Sequence, residues 1–323
     1  MITVKYPGKL YLMGEYSILN PGHHALVLSV NRYLTVTIKE NDKLYIESDH
    51  GIIDDEFNGK MPHVEKAITS AFEYLNLKGI KINDKFNMII ESELDDGVNK
   101  KYGFGSSGVV IVAVIDAVLK FHNRNIDSLT LYKLAVYTQV VLDELSSGGE
   151  LASSIYGGLI LYRRPIFSPK SIRDVEKEWP GLCIKRIPYS FQVAVGYTNQ
   201  GFNSRNFLEK VQHKKKLDIN TYQRLMKSAD AIVLDFSNNL WDKNKISEYR
   251  NWMLEFSSWA DIEIETTQLT HLIESALSLG YQAKVSGAGG GDCGIVIDDN
   301  IDFDRLALKW NEKDIELLKG VVS

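Results

Sequence analysis

Apolar positions recur along the chain with two different spacings, and segments of the two kinds alternate. Several segments alternate apolar with polar side chains and are rich in Val, Ile, Thr and Tyr, a pattern typical of strands. We expect strands at residues 2–6, 8–13, 25–40, 43–48 and 85–94. One segment has helical spacing instead: it starts with Pro62, which suits a first helical turn, and stops before Gly79. The pattern predicts helices inserted between strands, an α/β class of fold.

The segment 105–122 is apolar at nearly every position. Its length, about five turns at 3.6 residues each, favours a buried helix over a central strand. The glycine-rich stretch YGFGSSG, residues 102–108, opens it. Unpaired N–H groups and the positive end of the helix dipole make such a turn a candidate phosphate site. Taken alone, the stretch fits a tight turn with a serine N-cap equally well, and no Lys-Ser or Lys-Thr pair of a P-loop follows it.

The remaining pattern suggests two halves. Three of the seven prolines fall between 165 and 180, in a polar segment that reads as a crossing between halves. We expect an N-terminal domain over residues 1–175 and a C-terminal domain over 176–323. Further elements are predicted as helices at 132–145, 204–240 and 247–279, strands at 156–163 and 191–198, and a short final helix and strand.

Composition narrows the class of protein. The chain has 323 residues, 44% of them hydrophobic and 24% charged, which is ordinary for a globular protein with a sizeable core. A formal net charge of -5 argues against a nucleic-acid surface. Two distant cysteines fit no metal-ligand spacing and indicate a reducing compartment. With no leader-like or membrane-spanning stretch, we expect a cytoplasmic protein that binds neither nucleic acid nor membrane. Monomer and homodimer both stay open.

Two more glycine-rich motifs accompany the one at 102–108. The first motif is PGKLYLMGEYSIL at residues 7–19, the second is KKYGFGSSG at 100–108, and the third is SGAGGGDCG at 286–294. Three such loops, each beside an apolar strand or helix, suggest backbone segments that converge on one ligand. In this order the motifs resemble those of the GHMP small-molecule kinases, and the third, with its Asp-Cys ending, is most similar to the phosphomevalonate kinase branch.

The resemblance implies two α/β domains with the active site in the cleft between them. It also implies transfer of a phosphoryl group from ATP, with Mg²⁺, to the phosphate of 5-phosphomevalonate, yielding 5-diphosphomevalonate for isoprenoid biosynthesis. Such a reaction needs positioning and charge neutralisation more than covalent chemistry. The alternatives are another GHMP kinase with an alcohol acceptor, such as a mevalonate or sugar kinase, and a ligand-binding relative without turnover.

Site residues follow from the same resemblance. Lys9 would stabilise the charge on the transferred group. The ATP phosphates would be held by Lys101, Gly103, Gly105, Ser106, Ser107 and Gly108. The acceptor would contact Lys9, Glu15, Tyr16, Ser286, Gly287 and Ala288. An acceptor that already carries a phosphate needs further cations, and Ser204 and Arg205 are candidates. Ser107 and Glu144 would bind the metal.

The carboxylate expected as a catalytic base departs from the family pattern. Relatives place an aspartate where this chain has Glu150, in the stretch SSGGELASSIYGG. The extra methylene shifts the carboxylate, and a displacement of about 1 Å can cost on the order of a hundredfold in rate. Glu150 is therefore a working base, a group for electrostatics or magnesium, or a cause of reduced activity. A phosphate acceptor is already ionised near neutral pH and needs little help from a base.

Overall fold

A computed structural model describes residues 1–95, 102–144, 146–200, 205–239 and 242–322, without the Arg205 side chain. The strands are β1 (Ile2–Met13), β2 (His24–Glu40), β3 (Tyr45–Ser48), β4 (Gly51–Asp54), β5 (Phe86–Ser92), β6 (Leu159–Arg163), β7 (Cys183–Arg186), β8 (Gln192–Tyr197), β9 (Gln282–Val285), β10 (Cys293–Asp298) and β11 (Glu316–Leu317). The α-helices are α1 (Pro62–Leu77), α2 (Ser106–Phe121), α3 (Ser128–Val141), α4 (Gly149–Tyr156), α5 (Arg205–Leu217), α6 (Ile219–Asn238), α7 (Asn244–Ala260), α8 (Thr267–Leu277) and α9 (Phe303–Asn311).

The first sheet is organised around the long strand β2. Its strands follow the order β4-β3-β5-β2-β6-β7, and β1 pairs with β2 along nearly its whole length. The sequence predicts two strands interrupted at Pro7, but β1 runs through as one. The pairing register shifts between Pro7 and Lys9, so the predicted break is an irregularity within a continuous strand. This irregularity sits beside Lys9.

Helix α2 packs directly on this sheet, and α1 and α3 pack against α2 and against each other. The middle helix, α2, packs against α1, α3, β1 and β2, which explains why apolar residues fill almost every position of its sequence. The next helix, α3, begins at Ser128, four residues before its predicted start, because the Asp127 carboxylate accepts the Thr130 N–H at 2.9 Å and caps it. The short helix α4 packs on β1, β2 and β6.

The second sheet has the order β11-β8-β10-β9 and is antiparallel throughout. Helices α7 and α8 pack on β9, while α6 packs on β2 of the first sheet. The two predicted long helical stretches are four helices, α5 to α8. The domain boundary after residue 175 stays a prediction; β7, beyond it, still pairs with β6 of the first sheet. Across the described ranges, no helix is both long and apolar enough to cross a bilayer.

Candidate active site

Lys9 lies where the first motif meets the second. Its backbone N–H donates to the Phe104 carbonyl at 3.0 Å, and its Nζ donates to the Gly103 carbonyl at 2.8 Å. Gly105 has φ +80°, and a Cβ at this position would lie 2.9 Å from Cε of Lys9. A glycine is therefore required here both by backbone conformation and by the close approach of Lys9. The lysine is held against the loop that opens α2.

Burial changes the acidity of the Lys9 ammonium. Removal from water lowers the pKa of Lys9, and the nearby carboxylates of Glu150 and Asp292 oppose this effect. The ammonium contacts a carbonyl rather than a carboxylate, so its charge is only partly compensated. A half-buried cation in this state is suited to stabilise negative charge that develops beside it.

The start of α2 has the features of an anion site. Gly105 is the left-handed N-cap, and the amides of the first turn point out of the helix. Ser106 and Ser107 follow, with Ser107 exposed. Both serines line a cavity of about 230 Å³, here called the larger cavity. Residues 60–64, at the start of α1, line its other side.

Glu150 lies in the first turn of α4, and three side chains orient its carboxylate. Gln139 Nε2 donates to Oε1 at 2.8 Å, Ser146 Oγ donates to the same oxygen, and Ser147 Oγ lies 3.4 Å from Oε2. A Cβ on Gly108 would lie 2.8 Å from Cγ of Glu150, so α2 approaches this carboxylate closely. The extra methylene of the glutamate is accommodated by a set of donors around its tip.

The third motif closes the site from the other half of the chain. Ser286 Oγ donates to the Tyr11 carbonyl at 3.0 Å, and Tyr16 OH donates to the Ala288 carbonyl at 2.5 Å. Cys293 Sγ donates to the Tyr102 carbonyl at 3.2 Å, and burial raises the pKa of this thiol, which stays protonated. The three predicted loops therefore meet in space.

A second cavity lies on the third-motif side. It has a volume of about 120 Å³ and is here called the smaller cavity. It is lined by Tyr11, Glu15, Tyr16, Ser147, Gly287 and Ala288, with apolar side chains beside them. Tyr11 OH shares a 2.8 Å hydrogen bond with Ser147 Oγ, and burial together with the Glu150 charge raises the pKa of Tyr11. Tyr11 and Ser147 thus connect this cavity to Glu150.

Glu15, predicted to bind the acceptor, is almost completely buried and pairs with Lys284. Glu144, predicted to bind metal, contacts His63 Nε2 through Oε1 at 2.5 Å. Glu144 borders a different pocket, beside Gln139 and Ser146, and its role in metal binding stays a prediction. Within the described ranges, no group of three or more His, Cys, Asp or Glu side chains forms a metal cluster. Lys101, Ser204 and the Arg205 side chain lie outside the described residues.

Sequence reasoning missed several residues of this site. Gln139 gives no signal, since it is one polar residue in an amphipathic helix. Ser146 and Ser147 stand beside Gly148 and resemble any turn. Lys284 could have been noticed, because it interrupts an apolar strand directly before the third motif.

Two family patterns match this chain. The pattern of the GHMP kinases N terminal domain matches residues 63–158, which include the glycine loop and Glu150. The pattern described as GHMP kinases C terminal matches residues 243–316, which include the third motif. Together the two matches cover just over half the chain.

The chain belongs to the GHMP kinase family. The predicted family and the predicted two-part α/β fold are confirmed. This GHMP kinase is 28% identical to a phosphomevalonate kinase of Streptomyces sp. strain CL190, over 94% of the chain and 92% of the relative.

Two solved structures of similar chains have the same fold over 98% of this chain. The Lin0012 protein of Listeria innocua superposes with a TM-score of 0.92 at 29% identity, covering 98% of this chain and 96% of that one. The Streptococcus pneumoniae phosphomevalonate kinase in complex with phosphomevalonate and AMPPNP superposes with a TM-score of 0.86 at 28% identity, covering 98% of each chain.

Proposed function

We propose that this GHMP kinase transfers the γ-phosphoryl group of ATP to the phosphate of 5-phosphomevalonate, giving ADP and 5-diphosphomevalonate. One observation carries the proposal: Lys9 and Glu150 contact the glycine loop beside one cavity, and Ser147, 3.4 Å from Glu150 Oε2, lines the other cavity beside the third motif. A kinase needs such a pair of binding sites with a charged centre between them. The identity of the acceptor is supported by the Streptomyces and Streptococcus relatives.

On the donor side, the larger cavity would hold the nucleoside, and the start of α2 would hold the phosphates. Gly103, Gly105 and Gly108 leave room for the side chains of Asp292, Lys9 and Glu150 beside this loop, while Ser106 and Ser107 would add hydroxyl groups for the phosphates. Lys101, beside this loop in sequence, would add a positive charge.

The residues present fit a magnesium ion bound mainly through phosphate oxygens. The exposed Ser107 hydroxyl and the carboxylates of Glu144 and Glu150 are hard oxygen donors, which Mg²⁺ prefers. In the part of the chain that the structure describes, no group of three or more His, Cys, Asp or Glu side chains could hold a metal ion. Magnesium in kinases needs no such group, because one or two protein oxygens and the substrate phosphates bind it. When bound, the ion would neutralise charge on the transferred phosphoryl group.

Lys9 would stabilise the transferred phosphoryl group, since its Nζ reaches the carbonyl of the glycine loop. Glu150 would act mainly through its charge and through magnesium. Its carboxylate is surrounded by hydrogen-bond donors, and the acceptor phosphate is already largely ionised. On the acceptor side, Tyr16, Ser286, Gly287 and Ala288 would shape the smaller cavity, with Ser204 and Arg205 as further candidates.

A coupled ADP-release assay tests the proposal. Purified enzyme with Mg-ATP is supplied with 5-phosphomevalonate, mevalonate, galactose or no acceptor. Turnover with 5-phosphomevalonate alone is expected. Turnover with mevalonate or galactose instead would assign an alcohol acceptor and overturn the proposed acceptor. Binding of a non-hydrolysable ATP analogue without turnover on any acceptor would assign a ligand-binding protein that has lost catalysis.

A further inference from the structure

Lys284 and Glu15 form an ion pair that is removed from solvent. Lys284 Nζ lies 2.6 Å from Glu15 Oε1, and the two residues have exposures of 0% and 3%. Burial lowers the pKa of Lys284, and the Glu15 charge opposes that change. Buried pairs of this kind are often no more stabilising than apolar residues of the same volume. A contribution to folding stability therefore does not by itself explain why two charged residues are buried at this position.

The ion pair borders the smaller cavity through Glu15. Glu15 lines this cavity, and its Oε1 also accepts the Gly287 N–H at 3.3 Å. Lys284 stands two residues before Ser286, at the end of β9. One carboxylate oxygen therefore joins the first motif, the Lys284 side chain and the backbone of the third motif. The other oxygen, Oε2, is buried without a hydrogen-bond partner in the described part of the chain.

The backbone at this point is strained. Tyr16 has φ 60° and ψ −48°, and the Ser17 N–H donates to the Glu15 carbonyl at 2.6 Å. These values define a γ-turn of the rare, strained kind, which persists only where surrounding contacts fix it. Tyr249 OH donates to the Glu15 carbonyl at 3.0 Å, and the Tyr16 ring packs against Phe256 with centroids 4.8 Å apart.

We propose that Glu15 and Lys284 are positioning residues that hold residues 286–288 against the first motif and thereby set the acceptor site. The inference rests on the proposed function, since it assigns the smaller cavity to the acceptor. We expect the pair to affect binding of the acceptor and to leave binding of ATP unchanged. Its contacts lie on the smaller cavity, whereas the larger cavity is lined by residues between Leu34 and Val110.

The test compares single and double neutral variants. Lys284→Met or Glu15→Gln alone leaves a buried group without its partner, and we expect a lower melting temperature. The double variant Glu15→Gln/Lys284→Met removes both charges at similar volume, and its melting temperature should return close to that of the wild type. Its KM for 5-phosphomevalonate should still rise on the order of tenfold, because residues 286–288 are no longer held in place. Its KM for ATP should stay unchanged.

A matched control uses a charge pair outside the site. Lys120 and Asp116 are 2.8 Å apart on α2, about 15 Å along the helix from Ser106, and Asp116 is buried. The double variant Asp116→Asn/Lys120→Met should leave both KM values unchanged. If the Glu15/Lys284 double variant also keeps its wild-type KM for the acceptor, the pair is structural only and the inference fails.

A second readout does not depend on turnover. Hydrogen–deuterium exchange of the amides at 286–288 should be faster in the double variant than in the wild type at equal melting temperature. Unchanged exchange would overturn the positioning role. If the wild type phosphorylates none of the acceptors tested, the proposed function fails, and the exchange result still decides whether the pair fixes this loop.

Discussion

Gln139 Nε2 donates to Glu150 Oε1 at 2.8 Å, which ties the buried face of α3 to the first turn of α4. Gln139 itself is 4% exposed, so its amide has little freedom to turn away. Together with Ser146 it fixes the carboxylate that replaces the aspartate expected by resemblance. The glutamate side chain is long enough for its carboxylate to reach both donors, Gln139 and Ser146.

Shortening Glu150 should therefore impair the enzyme even though it introduces the aspartate that the resemblance leads one to expect. We expect Glu150→Asp to lower kcat by about tenfold to a hundredfold with a small effect on KM, because the carboxylate no longer reaches its donors. Gln139→Leu should reproduce part of this loss with Glu150 intact. Steady-state kinetics of both variants measure the loss of kcat and any change in KM. A Glu150→Asp enzyme as fast as the wild type would show that the donors do not set the carboxylate position.

Lys9 should control both rate and alkaline pH dependence. Lys9→Met is expected to lower kcat by on the order of a hundredfold or more while nucleotide binding persists. Burial lowers the pKa of Lys9 below the ordinary 10.5, and the proposed role of Lys9 requires its protonated form. The kcat/KM profile should thus fall at a pH below that of an ordinary lysine. Anionic substrates favour the charged form, so the corresponding fall in kcat should lie at higher pH.

Lys9→Arg supplies the control for this pH effect. Arginine keeps its charge over the whole range, so the residual activity of the variant should lack the alkaline decline. The same decline in Lys9→Arg would assign it to another group.

Gly105→Ala should abolish tight nucleotide binding. The substitution places a side chain at φ +80°, at a cost of about 1–2 kcal/mol, and pushes on Lys9. Gly79 offers a matched control, since it has φ +68° with no atom within 4 Å of an added Cβ. Both variants should lose similar stability in chemical denaturation. Calorimetry with an ATP analogue should detect weakened binding in Gly105→Ala alone; equal affinity in the two variants would contradict a phosphate role for this loop.

His63 should affect the nucleotide and leave the acceptor unaffected. It lines the larger cavity beside Ser107 and contacts Glu144 across 2.5 Å. The backbone carbonyl of Glu144 accepts the Ser146 N–H, and Ser146 Oγ donates to Glu150. These contacts connect His63 to Glu150. We expect His63→Ala to raise the KM for ATP several-fold without changing the KM for the acceptor, the reverse of the Glu15/Lys284 variant. Initial rates over a grid of both substrates measure this, and a change confined to the acceptor would refute it.

Local patterns predict most of the scaffold and the three loops, but neither β4 nor β7. Pro62 and Gly79 mark the helix α1, and the continuous apolar run marks α2, because both signals depend on neighbouring residues. The sequence predicts an interruption at Pro7. It does not predict that β1 continues past this residue, because that continuity depends on pairing with β2. The sequence predicts no strand at β7, because its extended conformation depends on pairing with β6 rather than on a local pattern.

The supporting contacts could not be predicted in the same way. Gln139 and Glu150 are on different helices, and the ion pair of Glu15 and Lys284 joins residues 269 positions apart. No spacing rule connects such positions before the fold is known. Lys284 could be noticed as a charge in an apolar strand, but its partner could not be named.

The separation of Glu15 from Lys284 also orders events during synthesis. The lining of the larger cavity lies between residues 34 and 110, whereas the smaller cavity requires Gly287 and Ala288. A growing chain is made from its N-terminus, and folding units form as they emerge from the ribosome. Until about the last eighth of the chain is made, Glu15 lacks Lys284 as its partner, and the smaller cavity lacks Gly287 and Ala288 from its lining. The residues that line the larger cavity are thus present in a nascent chain long before the last residues that line the smaller one.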